Sequence, residues 1–377
     1  MVHQLKIGMI VERFPPEAGG SGIRFYKIAE HLSKKHTIDV FTLGLTDTWN
    51  RINNFHVYRF DPENLPLPNF YGLKRVIGFS ASTFLKLLFR SYDLLDVDVW
   101  PFLPVFSAKI AKLQTPLIIS WNVVWPFSIH KEISKICSGL GKTVSKMSIY
   151  NITISQFAKS ILHEKLGINT DRIKVISNGI DNLFMNAKVM PQWGRLIFVG
   201  RLEPQKRLDL ILRAFKIVKK RGINIELRIF GSGPLYEWLL HFSKKNTGIH
   251  VYPAIEAQNR EKLVSELVAS WVFISASEFE TYGLTLMEAL SLGLPVISTD
   301  APYNAAPKEN LKHNYNSLIV EHNNPNALAD AIEKLYKNDA LWRNLSHNAK
   351  YGTQFRSWSD IAKEVEVMYE KVAKGEI

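Results

Sequence analysis

Two glutamates, Glu280 and Glu288, stand eight positions apart in "EFETYGLTLME", residues 278–288, on either side of a Tyr-Gly turn. Upstream, Arg201 and Lys206 stand in "VGRLEPQKRLD", residues 199–209. Carboxylates accept hydrogen bonds from hydroxyls, and paired cations hold phosphate or another anion. The residues alone leave a second reading of the glutamates open. Ser277 and Thr285 are each followed three positions later by Glu, which is the spacing of a helix capping box.

Glycine-rich turns accompany these charges. "GGSGIR" places Gly19, Gly20 and Gly22 between a first apolar run and a helix-length segment, and "FGSGP" places Gly231 and Gly233 just after another apolar run. Gly200 precedes Arg201 directly, and Gly283 follows Tyr282. A glycine turn that opens a helix presents backbone N–H groups and the positive end of the helix dipole to an anion. None of the spacings is that of a dinucleotide fingerprint or a P-loop, so each turn alone also reads as an ordinary loop. A nucleotide sugar suits the whole set: cations and helix N-termini for its diphosphate, carboxylates for its ribose and sugar hydroxyls.

Such residues converge only if the elements before them end at one edge. Apolar runs alternate with amphipathic segments along the chain, which predicts two α/β units with parallel sheets. Strand candidates are "LKIGMIV", "TIDVFTL", "HVYRF", "PLIISW", "ITIS" and "IKVIS", then "RLIFVG", "IELRIFG", "IHVYP", "WVFISAS", "LPVIST" and "SLIV". Leu208, Ile211, Leu212, Phe215 and Val218 repeat at helical spacing before Gly222. Asn324 before Pro325 marks another helix start, and a third is expected near Leu284. Open α/β sheets bind ligands beyond the carboxyl ends of their strands, where the turns lie. The irregular residues 181–194 are the expected linker between the two series.

At 377 residues the chain is long enough for two ordinary domains. No run reaches the ~18 apolar residues of a membrane span. The apolar start reads as a strand rather than a signal segment. A lone cysteine, Cys137, excludes an internal disulfide and suits a reducing, cytoplasmic setting. The net charge of +12 is concentrated in the first half, and residues 99–163 carry seven lysines against one acid, Glu132. That field suits a polyanion or an anionic membrane surface, or is simply a basic solvated face. No motif of nucleic-acid readers accompanies it, and no nucleic-acid partner is expected.

Taken in order, "GGSGIR", "SNGID" (177–181), "VGRLEPQKRLD", "FGSGP", the Glu-x7-Glu pair and "APKENLKHNYNSLIV" (306–320) resemble the retaining glycosyltransferases of family 4. The resemblance covers nearly the whole chain. It implies the GT-B architecture: two Rossmann-like parallel-sheet domains facing across a cleft, with a C-terminal helix crossing back to the first. The boundaries implied are 1–185 for the acceptor side, 186–355 for donor binding and 356–377 for the returning helix. Arg201 and Lys206 would hold the donor diphosphate, Glu280 the donor sugar and Glu288 the ribose. Amides of Tyr282, Gly283 and Leu284 would join the phosphate site with the turns of Gly200, Gly231 and Gly233, and Gly19 and Gly20 would approach from the first domain. Transfer would proceed with retention and without a metal or permanent cofactor, from a UDP- or GDP-sugar to a glycan or lipid-linked acceptor.

Four features bear on that expectation. Trp121 and Asn122 stand where many relatives carry a histidine, and His130 is the nearest substitute. "DAPYNAAP", residues 300–307, lacks the glycines usual after that strand. "DVD", residues 96–98, has the spacing of a metal-binding pair but sits in an expected strand. Residues 70–90 combine aromatic and aliphatic side chains with Lys74, Arg75, Lys86 and Arg90 and contain no acid, as a membrane-surface helix or a core helix with a basic edge would. The competing functions are a nucleotide-sugar epimerase or phosphorylase on the same fold and a non-catalytic sugar- or nucleic-acid-binding protein.

Overall fold

The computed structural model describes residues 4–17, 19–44, 46–61, 73–124 and 131–376. His130 and the start of the 70–90 segment lie outside them. Chain contacts divide the molecule into two units, Met1–Gly179 with Trp358–Ile377, and Ile180–Ser357.

The first unit is built on eight strands: β1 (Lys6–Ile10), β2 (Thr37–Leu43), β3 (Thr48–Ile52), β4 (Phe55–Phe60), β5 (Leu94–Asp98), β6 (Leu117–Trp121), β7 (Tyr150–Thr153) and β8 (Ile173–Val175). Their order is β3-β4-β2-β1-β5-β6-β7-β8. All neighbours run parallel except the β3–β4 hairpin. Helices joining the strands cover the central sheet, so β5 and β6 are buried along their whole length. The order reverses between β1 and β5, and such a reversal opens a crevice at the carboxyl edge. β3 escapes a reading from periodicity because it is an exposed edge strand of mostly polar residues.

The second unit repeats the plan with β9 (Arg195–Val199), β10 (Glu226–Phe230), β11 (Ile249–Tyr252), β12 (Val272–Ser275), β13 (Phe279–Glu280), β14 (Val296–Thr299), β15 (Tyr303–Asn304) and β16 (Ser317–Val320). Six of them form a parallel sheet in the order β11-β10-β9-β12-β14-β16, and β13 pairs with β15 alone. Here the reversal falls between β9 and β12. The division of the chain comes at 179/180, ahead of the irregular stretch expected to be the linker. That stretch contains the short helix Asn182–Asn186, and Ile180, Phe184 and Val189 are part of the second unit's core. It is a packed segment whose apolar residues are too few to show a period.

The helix Trp358–Ala373 packs within the first unit. Its Tyr369 hydroxyl donates to Asp96 on β5, and Glu366 takes both Lys35 at 2.9 Å and His36 Nε2 at 3.2 Å. His36 Nδ1 accepts the Leu5 amide at 3.1 Å, which leaves the ring proton on Nε2, facing Glu366. Among the described residues, His36, Glu366 and Glu370 have the spacing of metal ligands. That tautomer makes the imidazole a donor to the carboxylate, and the group works as a clasp on the terminal helix.

Asp96 and Asp98 project from one face of β5 and are both buried. Ser120 donates to Asp96 at 2.7 Å, while Asn122 donates to Asp98 at 3.0 Å and Ser21 also bonds it. The buried "DVD" pair is thus enclosed by hydroxyl and amide donors, and Asn122 is committed to Asp98. Trp121 is fully buried, with its indole N–H on Asn151 at 2.8 Å. Burial raises Asp96 to about 6 and Asp98 to about 7. A carboxyl whose folded pKa lies above its unfolded value contributes stability that is complete below about pH 4 and is lost as pH rises through the folded pKa. Asp98→Asn removes that loss. The melting temperature of Asp98→Asn relative to wild type is expected to rise between pH 5 and pH 8; a pH-independent difference would show that Asp98 stays ionised.

Candidate functional site

The carboxyl ends of β9 and β12 lie side by side at the reversal of the second sheet, and each leads into a charged loop. Beyond β9, residues 200–203 turn into the short 3-10 segment Pro204–Lys206, and Leu208–Lys220 follows as a helix. Beyond β12, the chain makes the two-residue strand β13 and enters the helix Leu284–Leu292 through Gly283 at φ 77°. Only glycine takes that left-handed conformation without steric cost. No side-chain cap closes the start of this helix, which follows closely on Glu280 in the chain.

Lys206 and Glu280 meet here. The Lys206 ammonium donates to Glu280 Oε1, which also accepts Ser277 Oγ at 3.3 Å, and both members are partly buried. Ser277 therefore approaches Glu280 with capping-box spacing, but no helix begins there. The pair rests on backbone ties. The Glu278 amide donates to the Gln205 carbonyl at 2.9 Å, joining the two loops, and the Ala305 amide donates to the Glu280 carbonyl at 2.8 Å. The glycine-free "DAPYNAAP" supplies β15, and its buried Asn304 donates to the Ser277 carbonyl at 3.2 Å and accepts Ala306 N–H at 3.0 Å. This segment is shaped to hold the Glu280 loop.

Arg207 completes the frame, and its type gave no sign of it. It occupies the left-handed region at φ 49°, forks onto Asp209 at 3.0 and 3.2 Å, and reaches Glu278 at 2.6 Å and Asn323. Hydrogen bonding to Asp209, and then to Glu278, holds its pKa above the usual guanidinium range. Arg201 lies against Glu203 at 2.8 Å and is substantially exposed.

Glu288 has a partner of its own. It is buried and paired with Arg260, which also reaches Asp181 at 3.2 Å and stacks over Phe184 with its guanidinium carbon 4.7 Å from the ring centre. Burial pulls the Arg260 pKa down, but Glu288 and Asp181 outweigh it and hold it above normal. Sequence reasoning missed this triad, because its members come from three separate segments. The one local signal is Asn259, which caps the helix Arg260–Val268 by accepting the Lys262 amide at 3.2 Å.

The glycines divide by what surrounds them. A Cβ on Gly231 would collide with the Gly200 carbonyl, and one on Gly233, at φ 145°, would come within 2.7 Å of the Leu202 carbonyl. These two glycines let the loop after β10 lie on the loop after β9, where Leu202 N donates to Ser232 O at 2.8 Å. In the first unit, Gly22 fits against the Arg13 carbonyl, whereas Gly19 and Gly20 have open space at the uncapped start of the helix Gly20–Leu32. From that helix, buried Arg24 donates to the Ser177 carbonyl at 2.8 Å and to Asn178 Oδ1 at 3.1 Å. "GGSGIR" is thereby tied to the first two residues of "SNGID".

Comparison with known proteins gives this arrangement its class. Residues 193–352 match the family profile of Glycosyl transferases group 1, and residues 18–182 match that of Glycosyltransferase Family 4. The chain belongs to this family of glycosyltransferases. It is 26% identical to an uncharacterised glycosyltransferase of Methanocaldococcus jannaschii across 97% of this chain and 98% of that one. Its fold is similar to that of the sucrose-phosphate synthase of Thermosynechococcus elongatus, with a TM-score of 0.82 at 18% identity over 99% of this chain and 100% of the other. It is also similar to Anabaena HepE, solved in complex with UDP-glucose, with a TM-score of 0.76 at 17% identity over 98% and 100% of the two chains. The fold is accordingly GT-B, with two Rossmann-like domains.

Arg207 allows backbone and side-chain effects to be separated. Arg207→Ala loses the ties to Asp209 and Glu278 but keeps the left-handed residue, and should lower stability by about 1–2 kcal/mol. Arg207→Gly loses the same ties but relieves the backbone, and should be about 1 kcal/mol more stable than the alanine variant. Urea unfolding of both decides the matter; equal midpoints would mean that the left-handed backbone stores no strain.

Proposed function

We propose that this glycosyltransferase moves a sugar from a UDP- or GDP-sugar to a hydroxyl of a glycan or lipid-linked acceptor, with retention at the anomeric carbon. The observation that carries the reading is the contact of Lys206 with Glu280 at the sheet reversal, beside an uncapped helix N-terminus. A cation and the first amides of a helix suit the diphosphate; a carboxylate one side chain away suits the hydroxyls of the sugar attached to it.

In this reading Arg201 and Lys206 bind the diphosphate with the amides of Tyr282, Gly283 and Leu284. Gly200, Gly231 and Gly233 shape the loops that carry them. Glu280 orients the donor sugar, and Glu288, itself oriented by Arg260, accepts from the ribose hydroxyls. As the bond from the anomeric carbon to the diphosphate oxygen breaks, negative charge grows on that oxygen, where fixed cations stabilise it most. The acceptor oxygen attacks the same face, and its proton passes to the departing diphosphate. The cations and amides supply the charge stabilisation that a metal would otherwise give. The likeness to a fold that binds UDP-glucose supports a nucleotide-sugar donor.

A thermal-shift panel of UDP, GDP and ADP with their sugars tests the donor site. A matching nucleotide sugar at about a hundred times its Kd should raise the melting temperature by roughly 5–10 °C. Glu280→Ala should lose the sugar-dependent part of that shift and about a hundredfold or more of the transfer rate. Lys206→Ala should weaken the nucleotide itself. Wild-type transfer by either variant would sink the assignment, and turnover of the nucleotide sugar without any acceptor would replace transfer with epimerisation.

A further inference from the structure

The first unit carries an apolar surface that its own core does not use. The helices Leu73–Leu88 and Leu103–Ala111 pack side by side, and apolar side chains at their carboxyl ends point outward. Phe89 is 85% exposed, Leu113 69%, Ile110 62%, Leu85 57% and Leu88 43%. Single exposed leucines are ordinary on a soluble surface; five large apolar side chains at two adjoining helix ends form a patch that needs an occupant.

Cations stand among them. Lys112 Nζ reaches the Leu88 carbonyl at 3.4 Å, which joins the two helix ends directly. Lys109 Nζ donates to the Leu113 carbonyl at 2.8 Å, and Arg90 donates to the Lys86 carbonyl at 3.2 Å while stacking 4.6 Å from the Tyr58 ring centre. Arg90, Lys109 and Lys112 are thus held beside the apolar side chains, and Lys86 lies in the last turn of the first of these helices. Residues 73–92 and 99–124 contain no acid. The intervening Asp93 accepts the Lys6 amide at 2.7 Å.

We propose that these two helix ends form a docking surface for an anionic lipid bilayer, with Phe89, Leu85, Ile110 and Leu113 entering the acyl boundary and Lys86, Arg90, Lys109 and Lys112 meeting lipid phosphates. Apolar groups ringed by cations match that interface in both chemistry and charge sign. A second copy of the chain matches the apolar part but brings the same cations face to face, which repel. The surface lies where these helices lead into the amino ends of β5 and β6, and it does not depend on the donor site.

The test is sedimentation of the full chain, without substrate, on vesicles of phosphatidylcholine alone or mixed with phosphatidylglycerol. Binding to the anionic vesicles should be at least about tenfold stronger, and should weaken as salt is raised. Phe89→Glu with Leu113→Glu should abolish it, with the melting temperature and the UDP-induced thermal shift unchanged because both side chains are exposed. Equal sedimentation of wild type and double variant would overturn the proposal. So would a wild-type dimer in light scattering that the double variant converts to monomer without any vesicle binding. A lost UDP shift in wild type would count against the donor site and leave the membrane result standing.

Discussion

A lysine and a glutamate 74 residues apart in sequence can hold one another only if the strands before them end side by side. The parallel order β9-β12 brings this about. Once the sheet reverses direction at that point, no helix crosses the gap, and the loops after β9 and β12 must settle against each other. They do so through backbone: Glu278 N on Gln205 O, and Glu280 O on Ala305 N. The ion pair itself is partly exposed, and such pairs contribute little to stability on their own. Its value lies in the opposite direction, since the stable sheet fixes the positions of two side chains that would otherwise wander. The same dependence explains β13 and β15, two-residue strands whose pairing pins the backbone of Glu280.

The glycines show how packing and ligand approach compete as explanations of one residue type. Gly231 and Gly233 are required by the folded chain itself, because the loop after β10 lies directly on Gly200–Leu202 and leaves no room for a Cβ. Gly19 and Gly20 are not required by anything around them. A Cβ there would meet no protein atom within 4 Å, so the packing around it gives no reason for glycine. Gly22, three residues into the same turn, is again a packing glycine against Arg13. Glycines that look alike in sequence therefore separate into those that packing requires and those that it does not only when their neighbours are seen.

Much of the fold was legible because parallel strands buried on both faces are continuous apolar runs. β1, β2, β6, β9, β12 and β14 all announce themselves in this way, and the Asn324 cap and the helix start at Leu284 follow from local backbone chemistry. Of the candidate site, the two short segments that the structure brings together, one with Lys206 and one with Glu280, could be singled out from residue type and spacing. What was hidden is tertiary. Arg260 joins Asp181 and Glu288 across three segments, Arg207 looks like one more surface cation beside Lys206, and β3 is a polar edge strand with no period to betray it. Phe184 was missed for a related reason, since one buried aromatic in an irregular stretch gives no pattern although it anchors that stretch to a core.

Charge is arranged differently in the two places where an anion is expected. At the helix ends of the first unit, the cations stand among apolar groups, and Asp93, the acid that follows Arg90 in sequence, accepts the Lys6 amide; their attraction is open to an anionic surface. In the second unit each cation of the site already faces a carboxylate: Arg201 with Glu203, Lys206 with Glu280, Arg207 with Asp209 and Glu278, and Arg260 with Glu288 and Asp181. On the proposed reading, a diphosphate entering there must take Arg201 and Lys206 from their carboxylates, which offsets part of the attraction. A small anion such as phosphate has only the cations to gain. A nucleotide sugar also supplies hydroxyls to the carboxylates it displaces, so Glu280 exchanges an ammonium partner for a sugar hydroxyl instead of being left unpaired. Preformed pairs of this kind turn a generic preference for anions into selectivity for a ligand that carries both phosphate and sugar, because only that ligand satisfies both halves of the pair at once.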